Sequence, residues 1–494
     1  MGEFDFPLWL RATHFLNLLF LTFLARSGIE ILASFPRFYR DDHCVPGSEL
    51  LKLTRRKVSP SDYTTALEEE LEAPGWLALP GGAQLGAGRH WHLFVLLFWI
   101  LTGLTYVVLL FVTDEWQRLV PTSWSIVPTA ISNALSYLHG QLPPALSDRP
   151  YNALQQITYF AVVFLLAPFQ IATGAAMSSA VMARFPWYPS AFGGRQRARF
   201  LHFLGLLAFA AFVAAHTAMV VVHGLALEWS KIVIGEDANR NLALVVGVSG
   251  LVVVVILNIL ATIVTGRSPR FAQHSLGVVA DRLQALLSYG LSSHQRYRTS
   301  EISPYMWLNG YPPPDPAYRR LAEGAFADWR LAVNGLVEHE LSLGIEDLKA
   351  IGQRSQITKH NCIQGWSSVA EWTGVDLAAF VDYCRPLAGA RYAVFYAFDD
   401  KGETDPRHGT GRFYEVVDLR LARMPQNMLA WGMNGKPLTI EHGAPLRLRL
   451  ENQLGFKMVK WIRAVEFVDE YAHVGLGQGG WREDHQYYSR VVGI

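Results

Sequence analysis

Five stretches of spanning length and mostly apolar composition crowd the first 270 of 494 positions, near 8–33, 91–112, 153–182, 200–222 and 242–265. A helix needs roughly 20 apolar residues to cross the hydrocarbon core of a bilayer. In lipid each backbone group must be satisfied inside its own segment, so such stretches fold as membrane-spanning helices. Five core helices of a soluble protein would need polar faces that 91–112 and 242–265 lack. The first stretch holds Arg11 and His14 and no small-residue cleavage site, and no twin-arginine signal precedes it, so it is expected to stay as a span.

The second half reads differently. From about residue 292 onward short strand-like runs, such as Tyr392–Phe398 and Leu446–Leu450, alternate with Gly, Pro and Asp. The expected organisation is multidomain: an all-α transmembrane helical bundle of five helices over 1–270, a connector over 271–300, and a mixed helix and strand domain over 301–494. In the connector Phe271, Leu276, Val279, Leu283, Leu286 and Leu287 recur at near-helical spacing. That stripe suits an interfacial helix under the bundle or an amphipathic helix packed on the next domain. Hydrophobic residues make up 51% of the chain, and 43 Lys and Arg against 42 Asp and Glu leave a net charge of +1. That balance excludes nucleic-acid binding through a general basic field. Cys44, Cys362 and Cys384 are too few for a disulfide framework.

Lysine and arginine mark the orientation. Arg37, Arg40, Lys52, Arg55, Arg56, Lys57 and Arg89 follow the first span, Arg184, Arg195, Arg197 and Arg199 precede the fourth, and Arg267 and Arg270 follow the fifth. The opposite loops hold only Arg118 and Arg149, then Lys231 and Arg240. The rich loops share one side, so the C-terminal domain is expected in the cytoplasm, on the inner side of the membrane.

A histidine at membrane depth is costly and marks a functional site. His202 and His216 lie 14 residues apart on the fourth span. That spacing returns to within about 40° of one face after a rise of about 21 Å. One helix can therefore ligate two haems stacked across the bilayer. Helix direction then pairs His92 with His202 on the inner side and His14 with His216 on the outer. His90 competes with His92, and His223 is expected at the outer interface. Two imidazoles per iron leave no open position, which suits electron transfer. Arg11, Arg89 and Arg199 each precede one of these histidines by three residues, on the same helical face, where a guanidinium can meet a haem propionate.

This half resembles the bacterial cytochrome b561 family, which is similar in its Arg-x-x-His starts, four core helices and 14-residue histidine pair. The resemblance covers roughly residues 5–270 and implies a bacterial inner membrane protein with two b haems and exchange with quinone or quinol.

The C-terminal half carries an ordered series: His360 and Cys362 in the run to Trp366, then Trp372 to Leu377, Leu429 to Leu438, His442 to Arg447, and Gly455 to Trp461. On its own terms Cys362 beside His360 is a nucleophile, a soft metal ligand or a packed core residue. Arg447, Lys457 and Lys460 form a phosphate site or a solvated face. The series resembles the sulfite oxidase family of molybdopterin enzymes over roughly residues 300–494, which implies an α+β sulfite oxidase-type domain. The resemblance gives Cys362 the role of thiolate ligand to molybdenum and catalytic centre. It places His360, His442, Arg447, Lys457, Lys460 and the backbone near Met458 and Val459 on the pterin and its phosphate, with Asn309 as an upstream contact. Cys384 matches nothing and is expected in the core. No arginine follows Cys362 directly, where sulfite-oxidising members carry an arginine-rich patch. The run is more similar to the protein-methionine-sulfoxide reductase branch.

The expected function is membrane-bound molybdenum oxidoreduction: quinol drives reduction of an S-oxide or similar oxo substrate in the cytoplasm through two b haems. Oxidation of a small cytoplasmic substrate into the quinone pool is the alternative, and a non-enzymatic haem conduit or redox sensor is the rival from another class. Self-association into an oligomer is left open.

Overall fold

The computed structural model describes residues 6–61, 64–146, 150–235, 239–291, 293–402, 411–451 and 453–490. Arg149, counted above among the loop cations, lies outside them.

Five helices are long and apolar enough to cross a membrane: α1 (Leu8–Ala33), α2 (Leu85–Val112), α3 (Ala153–Met177), α4 (Arg195–Val222) and α5 (Arg240–Arg267). The chain is thus a multi-pass membrane protein. Helices α2 and α4 start six and five residues earlier than hydropathy placed them, because polar first turns end the apolar run without ending the helix. Two shorter helices, Ile126–Leu138 and Leu225–Ile234, escaped the sequence reading. A π-helical turn interrupts α3 at Ala161–Leu166.

The described chain forms two compact units. The first comprises Met1–Gly28, Trp91–Ala175 and Phe200–Arg267. Inside it Arg26 of α1 donates to Asn258 Oδ1 at 2.8 Å and Thr262 Oγ1 at 2.6 Å of α5. Trp99 Nε1 of α2 donates to Asn17 Oδ1 at 3.0 Å. These bonds satisfy polar groups at membrane depth and tie neighbouring helices together. Val245, Val248, Val252, Val255 and Ile259 on α5 are exposed, an apolar face that lipid covers at no cost.

The second unit comprises Ile29–His90, Ala176–Arg199 and Ser268–Ile494. The break near residue 270 is therefore not the whole boundary: two polar segments between spans belong with the C-terminal half. The hairpin β1 (Arg37–Tyr39) and β2 (Glu49–Lys52) is antiparallel. Buried Arg37 holds it, donating from Nε to Glu69 at 2.8 Å and from Nη1 to Glu49 at 2.5 Å. The remaining strands are β3 (Leu331–Gly335), β4 (Leu341–Leu343), β5 (Arg354–Asn361), β6 (Ser367–Asp376), β7 (Tyr392–Asp400), β8 (Arg412–Asp418), β9 (Met428–Met433), β10 (Lys436–Pro437), β11 (Arg447–Arg449) and β12 (Ile462–Val468).

One sheet has the order β10-β9-β6-β5, with β11 also on β9; the other runs β4-β3-β12-β7-β8. Strand β12 lies parallel to β3 and antiparallel to β7. The apolar core on the second sheet includes Trp329, Leu331, Val333, Phe395, Val465 and Phe467, with Cys384 among them. A second cluster joins Phe35, Tyr39 and Leu85 to Trp307, Cys362 and Trp366. Helix α6 (Pro269–Ser288) buries Ala272, Leu276 and Ala280. Its Gln273 donates to the Tyr488 carbonyl at 3.0 Å, so it packs on the end of the chain, while Phe271 and Leu286 of the expected stripe stay exposed.

Candidate functional site

Within the first unit the four histidines meet in two pairs. The rings of His14 (α1) and His216 (α4) have centres 6.2 Å apart, and those of His92 (α2) and His202 (α4) 6.4 Å. An imidazole nitrogen lies about 1.1 Å from its ring centre and binds a first-row metal at about 2.0 Å, so two rings on opposite sides of one metal have centres about 6.2 Å apart. Both gaps fit a shared iron. Second partners hold three of the rings: Nδ1 of His92 meets Ser27 Oγ at 3.0 Å, that of His202 meets Thr173 Oγ1 at 3.1 Å, and that of His216 meets Tyr159 OH at 3.4 Å. Such bonds set the tautomer and leave Nε2 for a metal. Gly174 faces His202 closely, and a Cβ there would stand 3.3 Å from Cε1.

His90 is engaged on both ring nitrogens: its Nδ1 bonds the Gly86 carbonyl at 2.9 Å and its Nε2 meets Ser489 at 3.0 Å. His223 is likewise engaged, by Tyr137 at 3.0 Å and the Met219 carbonyl. The arginines divide. Arg11 donates to the Val233 carbonyl at 3.0 Å, and Arg89 sits half-buried near Arg195 and Tyr488. Arg199 departs from its expected propionate role: its guanidinium donates to the carbonyls of Phe35 and Arg37. The first turn of α4 belongs to the second unit, and there those carbonyls claim it.

Cys362 sits in the tight turn between β5 and β6. Its N–H donates to the Trp366 carbonyl at 2.9 Å, and Gly365 takes a positive φ of 125°. Two residues at the start of α4 grip the same turn, Arg195 and Gln196 each donating to the Gly365 carbonyl at 2.8 Å. The buried thiol receives Asn309 Nδ2 at 3.0 Å and the Gln364 N–H at 3.4 Å. Burial pushes it up; those two donors and the charges of Arg482 and Arg195 pull toward the thiolate, the metal-binding form.

A cavity opens beside it, lined by Asn309, His360, His442, Arg447, Met458 and Lys460 among others. Burial is the first cause, and neighbouring cations the second, of the depressed basicity around it. His442 falls to about 4 beside Arg447 and Lys460, and His360 is held well below its usual range beside Arg449 and Arg447. Lys460 is held low by burial and Arg447. Arg447 Nε and Asn309 Oδ1 are buried with no hydrogen-bond partner among the described residues. Crowded cations short of an anion, with unpaired polar atoms and a thiol, fit a pterin phosphate and a soft metal.

One expected contact lies elsewhere. Lys457 is buried against Glu415, at 2.6 Å, and Glu483, because an ammonium out of water needs carboxylates more than a cavity. The side chain of Val459 joins the apolar core and its carbonyl accepts from Leu448 N–H at 2.8 Å, which leaves its backbone N–H as the group the expectation named. The sequence reading missed Arg449, which bonds His360 Nδ1 at 2.8 Å, pairs with buried Glu451 at 2.9 Å and lies over Trp372 with Arg447. The signal was there in Arg447–Arg449, two arginines on one face of a strand. It also missed Arg482 on the cavity wall.

Facing imidazole pairs on apolar helices, and a buried thiol beside a cationic cavity lined from two sheets, define a membrane redox protein with a metal-pterin domain. Residues 5–235 match the prokaryotic cytochrome b561 family, and residues 320–474 match the oxidoreductase molybdopterin binding domain. The chain therefore joins a haem b cytochrome b561 domain to a molybdopterin-binding domain of the sulfite oxidase type. It is 31% identical over 33% of its length to the putative protein-methionine-sulfoxide reductase subunit YedZ1 of Azospira oryzae, covering 55% of that protein. It is 34% identical over 29% of its length to the protein-methionine-sulfoxide reductase catalytic subunit MsrP of Xanthomonas campestris, covering 45% of it. The sulfane dehydrogenase SoxCD structure from Paracoccus pantotrophus aligns over 29% of this chain and 39% of that one, at 24% identity and a TM-score of 0.25. The chain spans about half the length of the curated relatives it matches.

Proposed function

We propose that this protein is a membrane-bound molybdenum oxidoreductase that reduces an S-oxide or similar oxo compound with electrons from quinol. The observation that carries the reading is the joint presence, in one chain, of two facing imidazole pairs and the Cys362 thiol bedded between Asn309 and the Gln364 amide. When bound, the molybdenum cofactor supplies oxygen-atom transfer in a two-electron step, and each b haem supplies single-electron transfer. His14 with His216, and His92 with His202, hold one haem each. Cys362 ligates the metal, Asn309 donates to its sulfur, and Arg447, His442 and Lys460 hold the pterin phosphate. Overall, quinol gives up two electrons and two protons to become quinone, and the S-oxide takes the same number to become a thioether and water.

The names of the relatives favour a sulfoxide. The Lys and Arg distribution favours the inner membrane with the molybdenum domain facing the cytoplasm. The purified full chain, reduced with a quinol analogue, tests the reading. Dimethyl sulfoxide or trimethylamine N-oxide is expected to reoxidise the b haems. Sulfite or an aldehyde reducing oxidised haems instead would establish the opposite direction. Haem without molybdenum, from a host that makes the cofactor, would leave only an electron conduit. Protease reaching the C-terminal half from the periplasmic face would overturn the placement.

A further inference from the structure

Helix α6 packs with one face and leaves the other open. Ala272, Leu276 and Ala280 are buried, and its one acidic residue, Asp281, accepts from the Ser489 hydroxyl at 2.5 Å. Across from Leu276, Phe271, Val278 and Leu286 are 64%, 55% and 70% exposed, and Tyr289, just past the last turn, is 81% exposed. At about 100° per residue the first three fall within about 80° of one another around the axis. Exposed Arg282 lies inside the same arc. Aromatic and aliphatic residues around a cation make up the surface of a helix that lies in the headgroup layer of a membrane.

The path of the chain brings this face to a bilayer. A single residue, Ser268, separates α6 from the end of α5. Spans α1, α3 and α5 cross in the same sense, so α3 and α5 end at one face of the bilayer whichever way the chain is inserted. The far end of α6 is held near that face as well. Arg184 donates to the Tyr289 carbonyl at 2.8 Å. It closes the six-residue helix Ser179–Arg184, which begins two residues past Met177, the end of α3. That link rises only about 9 Å, whereas α6 is about 30 Å long. A helix tied at both ends to span termini runs along the surface and not away from it. Phe185 and Trp187, next to Arg184, are exposed too, and aromatic rings gather at membrane–water interfaces.

We propose that α6 is a lipid-binding element. Phe271, Val278, Leu286 and Tyr289 lie among the headgroups and first acyl carbons of the leaflet where α3 and α5 end, and Arg282 meets acidic headgroups. The partner is a bilayer surface that contains acidic phospholipid.

The test uses the full-length holoprotein, one copy per lipid nanodisc. A phospholipid with a diazirine on its acyl chain is photolysed, and the inserted label is mapped by mass spectrometry. In wild type the segment 269–290 is expected to take up about half the label density of α5, and about tenfold more than the helix Ile345–Ile351. Phe271→Asp combined with Leu286→Asp is expected to lower labelling of 269–290 by about fivefold or more and to leave α5 unchanged. Haem absorbance reports an intact fold. If the double variant loses it, a nitroxide on Val278→Cys carries the test, since Cys44, Cys362 and Cys384 are buried. That nitroxide is expected to be open to oxygen and shielded from a water-soluble nickel chelate. Wild-type labelling of 269–290 no higher than that of Ile345–Ile351, or a nitroxide open to the chelate, would overturn the proposal. A nitroxide that neither reagent reaches would mean that protein, such as a second copy, covers the face, and would overturn it equally. A phosphatidylglycerol probe is expected to label 269–290 about three- to fivefold more than a phosphatidylcholine probe, and Arg282→Gln to bring that ratio to about one. Equal labelling by the two probes in wild type would overturn the role given to Arg282.

Discussion

The haem-type histidine pairs and the Cys362 site are built on opposite plans. Each pair is set by two helices, with a hydroxyl from a further helix behind three of the four rings: Ser27 behind His92, Thr173 behind His202, Tyr159 behind His216. The surrounding helices spend much of their remaining surface on lipid. The Cys362 site draws on Asn309, Cys362, Arg447, Lys460 and Arg482, and its turn is gripped by Arg195 and Gln196. Burial and then neighbouring cations lower the basicity of Arg447 and Lys460, and Cys362 and Arg447 are buried while Asn309, Lys460 and Arg482 are half-buried. The first plan makes two separable sites; the second makes one site in which each member depends on the others. A bundle in lipid can place a ligand by helix periodicity alone, whereas a pocket for a large anionic cofactor needs donors from many directions.

The sharpest way to break that contrast is to remove one ligand. His202→Ala is expected to remove about half of the haem b absorbance and to leave the His14–His216 haem in place, while quinol-driven turnover falls by about a thousandfold or more. Reduced-minus-oxidised spectra check this; loss of both haems together would mean the pairs are not separable. The next largest effect separates two neighbouring lysines. Lys457→Met leaves Glu415 and Glu483 buried without their cation and is expected to cost about 3 kcal/mol of stability. Lys460→Met should instead leave the melting temperature nearly unchanged and lower molybdopterin content. Thermal unfolding beside metal analysis checks both, and the reverse pattern would return Lys457 to the cofactor.

The smallest effect is a pH dependence. Burial raises the Glu70 carboxyl to about 7 from an ordinary 4.5, so the folded chain holds that proton more tightly than the unfolded one. The stability this contributes is complete below about pH 4.5 and is lost as pH rises through about 7. Relative to Glu70→Gln, which stays neutral, wild type is expected to lose melting temperature across that window. Parallel curves for the two proteins would show that Glu70 titrates normally.

Much of the bundle could be read from residues alone. Apolar length placed all five spans, and the 14-residue interval from His202 to His216 with helix direction gave the same ring pairs that the structure brings to 6.2 and 6.4 Å. The polar turns at the starts of α2 and α4 escaped because hydropathy ends before helicity does. In the second half, the ordered series from His360 to Trp461 led to residues of one cavity, but not to which of them face it. Lys457 and Met458 are adjacent, yet one turns into a carboxylate pair and the other to the cavity wall. Arg449 hid behind Arg447 for the same reason.

By itself, then, the sequence determined what repeats at short range: which segments must enter lipid, which histidines share a helical face, and which stretch carries the metal-binding thiol. Tertiary structure alone decided the long-range assignments: that Ile29–His90 and Ala176–Arg199 belong with the C-terminal half, that Arg199 serves backbone carbonyls, and that Arg482 lines the cavity with Arg447 and Lys460. The physical reason is that periodicity fixes which face a residue occupies. Which buried charge meets which partner depends on contacts between segments far apart in the chain, settled by the cost of leaving any of them unpaired.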